Sequence, residues 1–154
     1  MSRYGTTSGR PEEYRQQGEK AVRPRDAATL IIVQQANEPR ILLGKRSMRH
    51  KFMPGKFVFP GGRLDYIDQR IKVPSELTNT VFTRLRREIR SIVSDAKLRG
   101  LALAAIRETF EETGLVVGRQ SLEVVRTTNH SWTKYFSHGV VPPLEDMDFI
   151  ARAI

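Results

Sequence analysis

Three glutamates that fall within about one helical turn place the strongest constraint on how this chain folds. Glu108, Glu111 and Glu112 stand at positions i, i+3 and i+4, so on a helix they project from one face over an arc of about 100°. The opposite side of the same helix carries four apolar residues, Ala102, Leu103, Ile106 and Phe110. This pattern predicts a helix that buries its apolar side and holds the acids toward a cleft.

The chemistry of the acidic face favours a divalent cation. Clustered carboxylates repel one another, and cations offset that repulsion. The chain has no cysteine, and oxygen-only ligands suit hard ions, so we expect Mg²⁺ or Mn²⁺ on Glu108, Glu111 and Glu112. Near the acids, Ala104 and Ala105 should leave space between the helix and a ligand. An exposed acidic helix face without a ligand is the alternative interpretation.

The stretch Arg107 to Leu115 resembles the second half of the Nudix box, in which Arg-Glu, two residues, Glu-Glu, one residue and Gly precede an apolar residue. The first half of that box has a Gly six positions before a Glu, which lies eight before the Arg. Gly62 follows Phe59-Pro60-Gly61 as the family's glycine does, and Asp68 lies six positions beyond it. Asp68 is 39 positions before Arg107 rather than 8, so 31 residues split the motif.

The inserted segment, about residues 69–99, is similar to a feature of a Nudix subset that includes peroxisomal acyl-CoA diphosphatases. It leaves the register of Asp65 and Asp68 open. The residues upstream of Gly62 resemble the coenzyme A diphosphatase signature: Leu42-Leu43-Gly44-Lys45-Arg46-Ser47, then Lys51, Gly55 and Phe59-Pro60-Gly61-Gly62. Gly44 replaces a Thr of that signature and Lys51 an Arg, and lysine lacks bidentate phosphate geometry. A basic solvated loop followed by a Pro-Gly-Gly turn is the alternative interpretation.

The resemblance implies a Nudix fold, which is an α/β domain with a mixed sheet flanked by helices. It implies metal-dependent hydrolysis of the diphosphate linkage in a nucleoside diphosphate derivative, with coenzyme A or acyl-CoA as the favoured substrate. Glu111 and Glu112 are then chiefly metal ligands, Glu108 is a ligand or the general base, and Arg107 orients Glu111 through an ion pair. The implied substrate-binding residues are Arg46, Lys51, Gly61 and Gly62.

The charge of the chain favours an anionic partner. The formal net charge is +9 and the isoelectric point is near 10.3, which suits a phosphate-bearing small molecule, nucleic acid or a lipid surface. Two rival functions stay open. One is a Nudix hydrolase of ADP-ribose, dinucleoside polyphosphates or nucleotide sugars. The other is a non-catalytic nucleic-acid-binding module, which the lack of an RRM-type aromatic-basic platform or a zinc-binding pattern disfavours.

The predicted organisation is an N-terminal arm, residues 1–25, followed by a Nudix domain, residues 26–154. The arm is polar with several glycines and prolines, and it lacks a secretory signal, so we expect a cytoplasmic protein. No apolar run approaches the ~20 residues of a membrane span. Apolar runs predict strands at 27–33, 40–44 and 57–59, with Pro60-Gly61-Gly62 ending the third in a sharp turn.

Apolar spacing predicts a helix from Glu76 to Val93 and a second from the N-cap Ser94 to Thr113, with Gly114 left-handed after it. Gly100 could interrupt the second helix. A short helix is expected at 132–136, where Trp132, Tyr135 and Phe136 are more typical of core than of base stacking. Met147 to Ile154 is predicted as a strand. Because the implied fold continues beyond it, we expect a C-terminally truncated form whose open edge favours a homodimer.

Overall fold

Eight short strands and three α-helices form within the part of the chain that the computed structural model describes, residues 25–49, 54–87, 89 and 91–153. The strands are β1 (Ala27–Thr29), β2 (Val33–Gln34), β3 (Arg40–Ile41), β4 (Gly44–Lys45), β5 (Phe57–Val58), β6 (Gly61–Arg63), β7 (Arg119–Gln120) and β8 (Val140–Val141). The helices are α1 (Asn79–Arg86), α2 (Asp95–Thr113) and α3 (His130–Phe136), and 3₁₀ turns lie at Ile67–Gln69 and Leu144–Asp146. The predicted α/β class is confirmed. All of the predicted arm except Arg25 lies outside the described residues.

The described strands pair in twos, each pair antiparallel: β1 with β6, β2 with β3, β4 with β5, and β7 with β8. The strands predicted at 27–33 and 40–44 form an antiparallel pair at β2 and β3, where Val33 stands opposite Ile41. The first residues of the predicted strand pair elsewhere, since β1 lies against β6. Where the resemblance implies one mixed sheet, this part of the chain has short separate ladders.

The turn predicted at Pro60-Gly61-Gly62 is confirmed at Pro60, where the chain bends after strand β5, but Gly61 and Gly62 belong to strand β6. Gly62 pairs with Ala28 of β1, and the carbonyl of Pro60 accepts a hydrogen bond from Leu30 at 2.9 Å. Gly61 has φ +149°, and a Cβ there would collide with the carbonyl oxygen of Ala28. Glycine is therefore needed at this position because strand β1 lies so close to it, and not because the chain reverses there.

Helix α2 begins and ends where the sequence predicts. The Ser94 hydroxyl accepts a hydrogen bond from the Lys97 amide at 3.2 Å, and Gly114 closes the helix at φ +71°. Gly100 does not interrupt the helix, and it is buried against the first 3₁₀ turn. Among the described residues, no helix combines the length and apolar character needed to cross a membrane.

The core gathers around α2. Leu103 and Ile106 on its apolar side are almost completely buried. From α1 come the buried residues Val81, Phe82 and Leu85. From α3 come Trp132 and Tyr135, both with no exposed surface, so the prediction that these two aromatics are core is confirmed. Strands β1 and β6 and the first 3₁₀ turn also pack against α2, which fixes the helix between the core and the ladder.

Helix α1 is shorter than predicted. It runs over Asn79–Arg86, capped at its start by the Thr78 hydroxyl, and Arg87 leaves the helical region with ψ 133°. An ion pair between Arg86 and Asp95 brings the end of α1 to the start of α2, so the chain must turn between them. The apolar period beyond Arg87 therefore belongs to a connecting segment, in which Ile92 is fully exposed.

The predicted strand at Met147 to Ile154 is wrong. Residues 147–153 form no strand, and Ile154 lies outside the described residues. Asp148 pairs with Arg84 at 2.7 Å, and the Arg152 guanidinium donates to the carbonyl oxygens of Leu85 and Arg87. This segment satisfies carbonyls at the C-terminal end of α1 instead of joining a sheet.

Gly100→Ala should destabilise the protein although alanine is the better helix former. A Cβ at this position would lie 2.9 Å from Cγ and 3.2 Å from Cα of Gln69, so the 3₁₀ turn must shift. We expect a loss of about 1 to 3 kcal/mol in the free energy of unfolding, measured by urea denaturation. Ala96→Gly on the exposed side of α2 is the control and should cost about 0.5 to 1 kcal/mol. A stabilising Gly100→Ala would contradict the close packing.

The contact between Arg84 and Asp148 should be visible in a pH titration. The hydrogen bond from Arg84, followed by that from the Phe149 amide, holds the pKa of Asp148 below its ordinary value of 3.8. A depressed pKa stabilises the fold above the unfolded pKa, and this contribution is lost as the pH falls through the folded pKa. Arg84→Gln should raise the NMR titration midpoint of Asp148, whereas Arg86→Gln on the same helix should leave it unchanged. An unmoved midpoint in Arg84→Gln would show that the pair does not form.

Candidate active site

A buried ion pair between Arg107 and Asp68 joins the two segments of sequence that the insertion separates. Arg107 Nε donates to Asp68 Oδ1 and Nη2 donates to Oδ2, both at 3.0 Å. Arg107 is 3% exposed and Asp68 is not exposed at all. Residues 39 positions apart in sequence are therefore joined by a bidentate charge-assisted contact. Asp65 is exposed and lies 3.9 Å from the guanidinium, so Asp68 and not Asp65 makes the buried contact with Arg107.

The remaining contacts of Arg107 reach the acidic face of α2. Its Nη1 donates to Glu108 Oε1 at 3.0 Å and to Glu111 Oε1 at 3.1 Å, which confirms the predicted ion pair with Glu111. Its Nη2 also donates to the Arg63 carbonyl at 2.9 Å. Burial by itself would lower the pKa of Arg107, but Asp68, with Glu111 and Glu108, raises it above its ordinary value. The guanidinium therefore stays charged and fixed between strand β6 and helix α2.

The carboxylate of Asp68 accepts two more hydrogen bonds. Trp132 Nε1 donates to Oδ1 at 2.9 Å, and the Asp65 amide donates to Oδ2 at 2.9 Å. With the two donors of Arg107, both buried oxygens are satisfied. The sequence analysis missed this role of Trp132. A buried indole N–H requires a partner, but no sequence pattern links residue 132 to residue 68.

Glu108 lies against strand β6. A Cβ added at Gly62 would collide with the carboxyl group of Glu108, so a larger residue at this position would force the Glu108 side chain to move. Burial, and then the negative charges of Glu111 and Glu112, raise the pKa of Glu108 against the opposing effect of Arg107. The surroundings of Glu108 thus disfavour its charged form. A carboxylate with a raised pKa accepts a proton more readily, and a bound cation would stabilise its charged form.

Gly61 brings the strand to the third acid. Its amide donates to Glu112 Oε2 at 3.3 Å. The two glycines predicted to bind substrate therefore lie beside the two acids Glu108 and Glu112. The space expected at Ala104 and Ala105 is absent, since these residues are 0% and 2% exposed. Both small side chains are instead buried in the fold, where α2 packs against β1, β6 and the first 3₁₀ turn.

The donor set of the acidic face fits a hard divalent cation in type and charge. Arg107 and the Gly61 amide engage one oxygen each of Glu108, Glu111 and Glu112. Asp68, Glu108 and Glu111 contact the guanidinium of Arg107, and Glu112 follows Glu111 on the same helix, so the negative charges outnumber the one positive charge. Among the described residues, no three acidic or histidine side chains are already arranged as a metal cage. Binding a cation would therefore require these carboxylates to rotate from the positions that they take here.

Arg46, one of the two basic residues predicted to bind substrate, directly follows strand β4, which pairs with β5 in a separate hairpin. Arg46 is half-buried, and its amide donates to the Lys56 carbonyl at 2.9 Å. Arg49 and Lys56 are exposed. Lys51 lies outside the described residues. Within the described chain, no hydrogen bond or ion pair joins Arg46 to the acids of α2.

No protein-family model and no curated protein matches this chain. Among solved structures, the chain is similar to the Nudix hydrolase from Alicyclobacillus acidocaldarius, with 24% sequence identity and a TM-score of 0.48. The similarity covers 79% of this chain and 57% of that one. This chain therefore spans little more than half the length of that protein. A likeness of this degree assigns no activity.

Asp68→Asn should destabilise the protein strongly. The substitution removes the charge that balances Arg107 in a buried site, and such losses cost about 3 to 5 kcal/mol. We expect a fall of about 3 kcal/mol in the free energy of unfolding, since Glu108 and Glu111 still contact the guanidinium. Asp65→Asn is the matched control, because Asp65 is exposed and should contribute less than about 0.5 kcal/mol. Equal losses in the two variants would show that Asp68 does not make the buried contact with Arg107.

Proposed function

We propose that this chain is a metal-dependent hydrolase of the Nudix type, which cleaves the diphosphate linkage of a nucleoside diphosphate derivative. The observation that carries the proposal is the position of Arg107. One guanidinium contacts Asp68 from the first half of the split motif and Glu108 and Glu111 from the second half. The 31-residue insertion is thus compatible with a single site built from both halves.

The acidic face supports a role for Mg²⁺ or Mn²⁺. Glu108, Glu111 and Glu112 are the residues that would hold the cation. When bound, such a cation lowers the pKa of an attacking water and neutralises charge on the diphosphate. Arg107 holds the carboxylates of Glu108 and Glu111 in fixed orientations. Glu108, whose pKa is raised, is suited either to accept the proton of that water or to bind the cation.

Coenzyme A or an acyl-CoA is the substrate that we favour. The 3′-phosphorylated ADP part of these molecules carries several negative charges, and a basic hairpin precedes the strand that contacts the acids. Arg46 and Lys51 are the proposed contacts to these phosphates, and Gly61 and Gly62 let the backbone approach the diphosphate. Hydrolysis would yield 3′,5′-ADP and a phosphopantetheine, with water attacking phosphorus. No covalent enzyme intermediate is required.

The same proposal covers the organisation of the chain. Residues 26–154 would form the Nudix domain, with an insertion at about 69–99 that contains helix α1, and the protein would act on a small molecule in the cytoplasm. A homodimer stays part of the proposal. The sequence has no RRM-type aromatic-basic platform and no zinc-binding pattern, which disfavours nucleic acid as the partner.

Glu112→Gln should abolish most of the hydrolysis without unfolding the protein. The change removes one anionic ligand from an exposed position, so we expect turnover of coenzyme A with Mg²⁺ or Mn²⁺ to fall by at least about 100-fold. Circular dichroism should show an unchanged fold. Glu123→Gln, an exposed carboxylate outside the site, is the matched control and should keep full activity. Near-normal turnover by Glu112→Gln would contradict the assigned role.

A substrate panel separates the favoured substrate from its rivals. Coenzyme A, acyl-CoA, ADP-ribose, a dinucleoside polyphosphate and a nucleotide sugar should be assayed side by side with each metal. Faster turnover of a compound without the 3′-phosphate would keep the hydrolase and reject the coenzyme A assignment. RNA binding with no metal-dependent hydrolysis of any compound would reject the enzyme altogether.

A further inference from the structure

We infer that Trp132 is a positioning residue for the acidic face of α2 and that it acts through Asp68 and Arg107. The inference rests on the proposed function, because the acids that it orients are the proposed metal ligands. Trp132 belongs to α3, outside both halves of the split motif. Nothing in the sequence pattern of the motif requires it.

The indole fixes the orientation of the Asp68 carboxylate. Trp132 Nε1 and Arg107 Nε donate to the same oxygen, Oδ1, at 2.9 Å and 3.0 Å. The Asp65 amide holds the other oxygen at 2.9 Å. A carboxylate held by donors on both oxygens cannot rotate without breaking a buried hydrogen bond, and such a break is costly in a site that water does not reach.

The orientation of Asp68 in turn sets that of Arg107. The guanidinium is planar, and its Nε and Nη2 are both bonded to Asp68. The remaining nitrogen, Nη1, is the one that reaches Glu108 and Glu111. Because the guanidinium is rigid, a rotation of Asp68 would move Nη1 away from these carboxylates.

Trp132 is itself rigidly held. Its indole stacks on Phe136 with ring centroids 5.4 Å apart and meets the edge of Tyr135 at 5.3 Å. Its amide donates to the N-cap side chain of Asn129 at 3.0 Å. The indole N–H is therefore placed by helix α3 and not by the carboxylate that it contacts, which is what a positioning residue requires.

The test removes the indole N–H without removing the ring. Trp132 is the single tryptophan of the chain, so biosynthetic replacement of tryptophan by benzothienylalanine changes this position alone and substitutes sulfur for N–H. Trp132→Phe is the genetically encoded counterpart. Tyr135→Phe is the control, because it removes another buried hydrogen bond of α3, from the Tyr135 hydroxyl to the Val117 carbonyl at 2.6 Å. Mn²⁺ affinity is measured by electron paramagnetic resonance, beside kcat and KM.

We expect both Trp132 replacements to weaken Mn²⁺ binding and to lower kcat, each by about 10-fold, as is usual when a group that orients metal ligands is lost. KM should stay within about twofold, because among the described residues Trp132 makes no hydrogen bond to Arg46, Gly61 or Gly62. The Arg107 Nε–H resonance should shift. Tyr135→Phe should keep Mn²⁺ affinity and kcat near those of the unmodified protein even if it lowers thermal stability.

Four outcomes would each overturn either the inference or the proposed function on which it rests. Unchanged Mn²⁺ affinity and kcat in the benzothienylalanine protein would refute the role of Trp132 and leave the hydrolase intact. Equal losses in Tyr135→Phe would show that Trp132 serves stability alone. An unmodified protein that neither binds Mn²⁺ nor hydrolyses any substrate would refute the proposed function. An Arg107 Nε–H resonance that does not shift when Trp132 is replaced would show that Trp132 does not orient Arg107 through Asp68.

Discussion

The arrangement of the acids depends on the buried pair of Arg107 and Asp68. Burying two charges costs free energy that a single contact rarely recovers, so such pairs persist where further hydrogen bonds satisfy them. Here the carboxylate receives four donors and the guanidinium also reaches the Arg63 carbonyl. The pair thus connects strand β6, the first 3₁₀ turn, α2 and α3. Without it, Asp68 and the first 3₁₀ turn would lose their contact with the charged face of α2.

Local signals in the sequence predicted α2 accurately. The cap Ser94 and the left-handed Gly114 act over a few residues, and the structure has both where expected. The acid spacing likewise predicted the ion pair of Arg107 with Glu111 within one turn. Contacts within a helix turn are fixed by helix geometry, so one segment of sequence contains all the information they need.

The features that the sequence could not predict depend on distant partners. The sequence around Gly61 is typical of a turn, and only the neighbouring strand β1 shows why glycine is needed there. The C-terminal segment has the pattern of a strand, but in the structure its Arg152 donates to a carbonyl of α1. The contact of Trp132 with Asp68 joins residues 64 positions apart. The spacing of apolar residues predicts which face of a helix or strand is buried. It does not predict which polar group from a distant segment lies against that face.

The split in the motif has a consequence for folding kinetics. Joining Asp68 to Arg107 closes a loop of 39 residues instead of 8, and loop-closure entropy makes this about 1.4 kcal/mol more costly for a flexible chain. Helix α1 lies within this loop and packs on the core. Folding of α1 before the ion pair forms would bring Asp68 and Arg107 closer together and so lower the cost of closing the loop. The charged centre should therefore assemble late, after the insertion has folded, and a chain caught before that step would have a native-like α2 with its acids still unoriented.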